Sequence, residues 1–64
     1  MTHFYIFFNG ADYYATPHKE RAESWPGGIV CEGDANPEDD QSLAALADLV
    51  ATYVPGLNVI QFSW

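Results

Sequence analysis

A chain of 64 residues with a formal net charge of −7 buries only about 60% of the surface that its unfolded form exposes, which leaves room for one domain and excludes a second. Its 48% hydrophobic and 16% aromatic content excludes a disordered polymer in spite of that charge. Nine Asp and Glu against only Lys19 and Arg21 repel nucleic acid and anionic membrane, so neither is expected as a direct partner, and a basic surface is.

The chain opens with Thr2-His3-Phe4-Tyr5-Ile6-Phe7-Phe8, a β-branched and aromatic run that predicts a strand. It meets Asn9-Gly10, the dipeptide of two-residue type I′ hairpins, so Ala11 to Thr16 is expected to return as a second strand. That turn sets Phe8 opposite Ala11, Ile6 opposite Tyr13 and Phe4 opposite Ala15, an apolar face. The alternate positions His3, Tyr5, Phe7, Asp12, Tyr14 and Thr16 form a second face, rich in aromatics, which one helix leaves partly open to solvent.

Pro17 to Gly28 carries weak periodicity and predicts a loop, with room for one or two helical turns through Ser24 before Trp25-Pro26-Gly27-Gly28 forces a turn. Ile29-Val30-Cys31-Glu32 predicts a short third strand, ended by Gly33. Asn36 has the character of an N-cap, Pro37 suits a first helical position, and Glu38, Asp39 and Asp40 complement the positive end of the helix dipole. Leu43, Leu46, Ala47, Val50, Tyr53 and Val54 then recur at three- and four-residue spacing as a single buried stripe, closed by Pro55-Gly56. Leu57 to Trp64 predicts a last strand, with Ile60, Phe62 and Trp64 on one face and Val59, Gln61 and Ser63 on the other. The order β-β-β-α-β implies an α+β fold, one four-stranded, mostly antiparallel sheet with a helix packed on one face, spanning residues 1–64.

A lone cysteine forms no internal disulfide, no run approaches the ~20 apolar residues of a membrane span, and Met1 to Phe8 lacks the basic start of a secretory signal. A soluble, unexported cytoplasmic protein is the expectation. Catalysis by Cys31 requires His3 or His18 beside it and an orienting third group, and the spacing supports no such triad. With no CxxC, no histidine pair at metal spacing and no phosphate loop, neither an enzyme nor a bound cofactor or metal is expected.

The densest feature is Glu32, Asp34, Glu38, Asp39 and Asp40, five carboxylates within nine residues with no basic residue among them. Part of this is structural, since acids in a first helical turn contribute about 0.3–1 kcal/mol each. A calcium loop starting at Asp34 fails, because its sixth position holds Asp39 instead of Gly and its twelfth holds Ala45 instead of a bidentate Glu. The functional expectation is a surface that mimics nucleic-acid phosphates, joined by Asp12, Glu20, Glu23 and Asp48 and directed at a basic nucleic-acid-binding protein. Exposed ion pairs contribute roughly 0.2–1 kcal/mol each, so five supply about 1–5 kcal/mol, short of the ~8 kcal/mol of a micromolar complex. Charge of this kind steers, and Tyr5, Phe7 and Tyr14 on the aromatic face, with Trp25 or Trp64, are the candidates to anchor.

A tiny acidic chain of aromatic strands carrying the Glu32 to Asp40 cluster resembles the phage-encoded anti-CRISPR proteins, in particular inhibitors of type I-C systems. The resemblance is one of overall character and assigns no role to any single residue. It implies a monomeric, stoichiometric inhibitor in the bacterial host cytoplasm, occupying the DNA-binding surface of a CRISPR surveillance complex subunit. An anti-restriction or antitoxin-like mimic with another basic target, and a small structural or assembly protein, are the alternatives.

Overall fold

The computed structural model describes residues 1–57 and 59–64. Four strands, β1 (Thr2–Phe8), β2 (Tyr13–Thr16), β3 (Ile29–Ala35) and β4 (Gln61–Phe62), form one sheet in the order β3-β1-β2-β4. Helix α1 (Lys19–Glu23) precedes β3 and helix α2 (Asp40–Tyr53) follows it. The fold is α+β as expected, and the sheet is mixed: β1 pairs antiparallel with both β2 and β3, whereas β4 runs parallel to β2.

The hairpin is wider than the Asn9-Gly10 dipeptide predicts. Ile6 pairs with Ala15 and Phe8 with Tyr13, so residues 9–12 form the loop. The Asn9 side-chain oxygen accepts hydrogen bonds from the backbone N–H groups of Ala11 and Asp12, at 3.0 and 2.8 Å, and Gly10 takes φ +98°. The asparagine side chain thereby supplies a partner that the two-residue turn lacks, and the loop widens around it. Because the register moves by two residues, every side chain keeps the face that the narrower turn assigns to it.

On the first face, Phe4, Ile6, Ala15, Cys31 and Ala35 pack with Leu46 and Val50 of α2 and with Ile60 into the core. A bulge in β3 helps fill it: Ile6 pairs with Cys31 but Phe7 with Ile29, so the consecutive residues Val30 and Cys31 both reach the core. Strand β3 does not stop at Gly33. It runs on to Ala35, paired with β1 throughout, and at Gly33 it lies so near α2 that a Cβ there would be 2.9 Å from Leu49 Cδ2 and 3.0 Å from Leu46 Cδ1. The glycine that signals a strand end serves here as a contact surface for the helix.

Helix α2 begins later than the Asn36-Pro37 pattern predicts. The Asn36 side chain accepts from the Glu38 N–H at 3.0 Å and the Asp39 N–H donates to the Asn36 carbonyl at 3.0 Å, so residues 36–39 close a turn. Asp39 is the N-cap, its Oδ1 accepting from the Gln41 N–H at 3.0 Å. Of the apolar stripe, Leu46 and Val50 are buried and Leu43, Ala47 and Val54 half-buried, while Tyr53 is exposed, at the last turn where the helix outruns the sheet. Pro55-Gly56 ends the helix as expected, with Gly56 at φ +86°.

The expected strand Leu57–Trp64 shortens to Gln61–Phe62, and Asn58 within it lies outside the described residues. Its alternation holds: Ile60 is buried, Phe62 and Trp64 each set an aromatic edge against Phe4 at 5.4 Å, and Val59 and Gln61 are exposed. Ser63 donates its N–H to the Ala15 carbonyl at 2.9 Å, and Arg21 reaches Ser63 Oγ at 3.0 Å, tying the last residues to β2 and α1. Among the described residues, no helix is long and apolar enough to cross a membrane.

Candidate functional site

The sheet face opposite α2 is divided between two environments. At one end Trp25 stacks on Phe7 with ring centroids 5.9 Å apart and planes 12° off parallel, and Phe7 is buried. Tyr14 leans on Phe7 at 5.6 Å and is half-buried. Helix α1 packs on β1 and β2, burying Ala22 and Thr16. The aromatic face is thus only partly open, and this end of it is covered, because Ala22 of α1 lets the backbone approach and Trp25, just beyond the helix, supplies a large flat ring. Tyr14 belongs to this covered end, and Tyr5 does not.

At the other end the face is open, and it is there that three of the sequence-predicted residues, Tyr5, Glu32 and Asp34, meet. Alternation along β3 puts Glu32 and Asp34 on the outer face, with Gly33 between them turned to α2. The antiparallel register sets Asp34 opposite His3 and Glu32 opposite Tyr5. His3 then bridges both acids, Nε2 lying 2.7 Å from Glu32 Oε1 and Nδ1 2.6 Å from Asp34 Oδ1. Tyr5 closes the group, its ring edge-to-face with the imidazole at 4.9 Å. The hydrogen bonds to Glu32 and then to Asp34 hold the imidazole pKa above its usual 6.5.

The remaining three members of the acidic cluster, Glu38, Asp39 and Asp40, are exposed at the turn and first residue of α2. Asp39 is committed to its cap, though only one of its oxygens is used there. Among the described residues, no lysine or arginine forms an ion pair with any of the five acids, and both cations lie on α1. Asp12, Glu20, Glu23 and Asp48 are also exposed, but on the hairpin loop, α1 and the middle of α2, so the acidic surface is distributed over several elements.

A second feature escapes the sequence pattern. Phe8, Asn9, Gly10, Trp25, Pro26 and Gly27 line a shallow, mainly apolar cleft of about 230 Å³, with Phe8 and Trp25 each 38% exposed. Both turns that form it are marked in the sequence by Asn9-Gly10 and Pro26-Gly27, but nothing local says that they meet. His3 is likewise a site residue that the acid count passes over; the alternation placing it beside Tyr5 is the one signal of it.

Cys31 is a poor nucleophile in this setting. Burial, and secondarily the Glu32 charge, pushes its thiol pKa up, and neither imidazole is bonded to it: His3 holds the two acids and His18 Nε2 sits 2.8 Å from the Trp64 carbonyl oxygen. Among the described residues, no three His, Cys, Asp or Glu side chains are grouped to hold a metal ion. No protein family, curated protein or solved structure matches the chain.

Proposed function

We propose that this protein is a stoichiometric binding inhibitor whose acidic surface stands in for nucleic-acid phosphates on a basic nucleic-acid-binding protein. The type I CRISPR surveillance complex is the target that the resemblance implies. The observation that carries the proposal is the exposure of Glu32, Asp34, Glu38, Asp39 and Asp40 without a lysine or arginine counter-ion among the described residues. Among the described residues, Glu38, Asp39 and Asp40 have no cationic partner and His3 offsets at most one of the two charges on Glu32 and Asp34, so a negative field acts beyond the molecule and speeds encounter with a basic surface. Their few kcal/mol steer and orient.

Anchoring falls to apolar contact. Tyr5 lies within the acidic end, while the Phe8–Trp25 cleft sits at the far end of β1, five residues from His3 and so about 17 Å away. Tyr14, half-buried against Phe7, is the weaker anchor. A partner that spans this distance meets charge at one end and aromatic surface at the other.

The test is competition for target DNA by a purified type I-C surveillance complex. Wild-type protein should abolish DNA binding at about one molecule per site. The variant Asp34→Asn/Glu38→Gln/Asp39→Asn/Asp40→Asn should lose this while keeping its fold, since asparagine caps a helix as well as aspartate does. Undiminished inhibition by that variant would sink the mimicry. Inhibition of a restriction enzyme in place of the CRISPR complex would move the target to the anti-restriction alternative.

A further inference from the structure

We infer that His3 is a proton-operated clamp on the carboxylate face, bridging Glu32 and Asp34 as the imidazolium and releasing one of them when it loses its proton. The inference rests on the proposed function only for its consequence in binding; the clamp itself stands on geometry.

Both ring nitrogens lie within 2.7 Å of a carboxylate oxygen, on two different side chains of the neighbouring strand. A neutral imidazole carries a single N–H, so its second nitrogen would point a lone pair at the lone pairs of a carboxylate. That contact is repulsive at such a distance. With both nitrogens protonated, each contact becomes a charge-assisted hydrogen bond, the arrangement that lengths of 2.6 and 2.7 Å describe. The geometry thus selects the cation.

The groups facing the ring are few. Strand β3 contributes Glu32 and Asp34, and β1 contributes Tyr5, whose ring edge meets the imidazole. Helix α2 packs on the opposite sheet face, and Lys19 and Arg21 of α1 make no ion pair with these acids. Below the clamp's transition the group of three carries a net charge of −1; above it the charge is −2, and one carboxylate is free to turn outward. His3 and its two acids are substantially exposed, with side-chain accessibilities of 41%, 50% and 62%, so a partner's lysine or arginine reaches the oxygens that the imidazolium holds. Protonated His3 competes with that partner. Affinity for a basic surface therefore rises with pH through the transition, by about 1.4- to five-fold, the worth of one exposed ion pair.

The decisive experiment is a titration of the His3 ring nitrogens by NMR in the full chain. His3 should titrate above 6.5, with both nitrogens protonated on the acid side of its transition. Glu32→Gln and Asp34→Asn should each lower the midpoint, and the double variant should return it to about 6.5. A His3 midpoint at or below 6.5, or one indifferent to both substitutions, overturns the clamp. The DNA-competition assay repeated from pH 6 to 8.5 then reads the consequence: inhibition by wild type should strengthen with pH more than inhibition by His3→Gln. Equal pH dependence of the two overturns the regulatory role. The mimicry itself is judged separately, by the four-amide variant at fixed pH.

Discussion

Replacing Gly33 by alanine sets a methyl group against helix α2. The new Cβ would lie 2.9 Å from Leu49 Cδ2 and 3.0 Å from Leu46 Cδ1, short of ordinary van der Waals contact at 3.4 Å by 0.5 and 0.4 Å. Overpacking of this kind costs about 1–3 kcal/mol. Against it stands the smaller backbone freedom of alanine in the unfolded chain, which stabilises by about 0.4–1 kcal/mol. The difference leaves Gly33→Ala destabilised by about 1 kcal/mol, or about 4–8 °C in Tm for a domain of this size. Leu49 is 39% exposed and has room to swing away, whereas buried Leu46 does not, so the residual strain belongs mainly to Leu46. Urea unfolding should show a lower midpoint with an unchanged m-value. In a Leu46→Ala background the Gly33→Ala change should cost less, giving a non-additive cycle. A Gly33→Ala protein as stable as wild type, or a strictly additive cycle, would refute the close approach of α2 to the sheet at this point.

Asp39→Ala should cost about 1 kcal/mol through loss of the N-cap and lower the helical signal in far-ultraviolet circular dichroism, whereas Asp39→Asn should not; equal effects would place the cap elsewhere. Trp25→Ala removes the cover of Phe7: with roughly 60% of a ~200 Å² side chain buried, at ~25 cal/mol per Å² the loss is about 3 kcal/mol at most. Near-ultraviolet circular dichroism and urea unfolding would reveal it. The raised pKa of His3 implies stability that is fully present below the unfolded value of ~6.5 and is lost as pH rises through the higher folded value. Urea midpoints should therefore fall over that window in wild type relative to Glu32→Gln/Asp34→Asn, and a wild-type midpoint that rises there by comparison would reverse the sign.

The candidate site was legible in unequal parts. Glu32 falls in an expected strand and Tyr5 on the aromatic face of β1, but Asp34 joins them only because β3 runs past Gly33 and pairs antiparallel with β1. Glu38, Asp39 and Asp40 read from the chain as first-turn acids, but the Asn36 side chain spends itself on a turn, and the cap passes to Asp39. Tyr14 illustrates the opposite limit. Its alternation is correct, yet its exposure depends on where residues 17–28 lie, and those residues carry no periodicity to announce a cover.

Local pattern thus settles the two faces of the first hairpin, the buried stripe of α2 and its stop at Pro55-Gly56, the alternation at Ile60, Phe62 and Trp64, and the charge of −7. These depend on side-chain spacing within a few residues of chain, which propensity and periodicity encode directly. Packing decides the rest: β3 beside β1, β4 parallel to β2, the bulge at Val30, Gly33 beneath Leu46 and Leu49, and His3 held between two acids about 30 residues away. Such pairings win by the sum of many weak contacts over the whole core, where no single residue pair carries enough free energy to declare the choice along the chain.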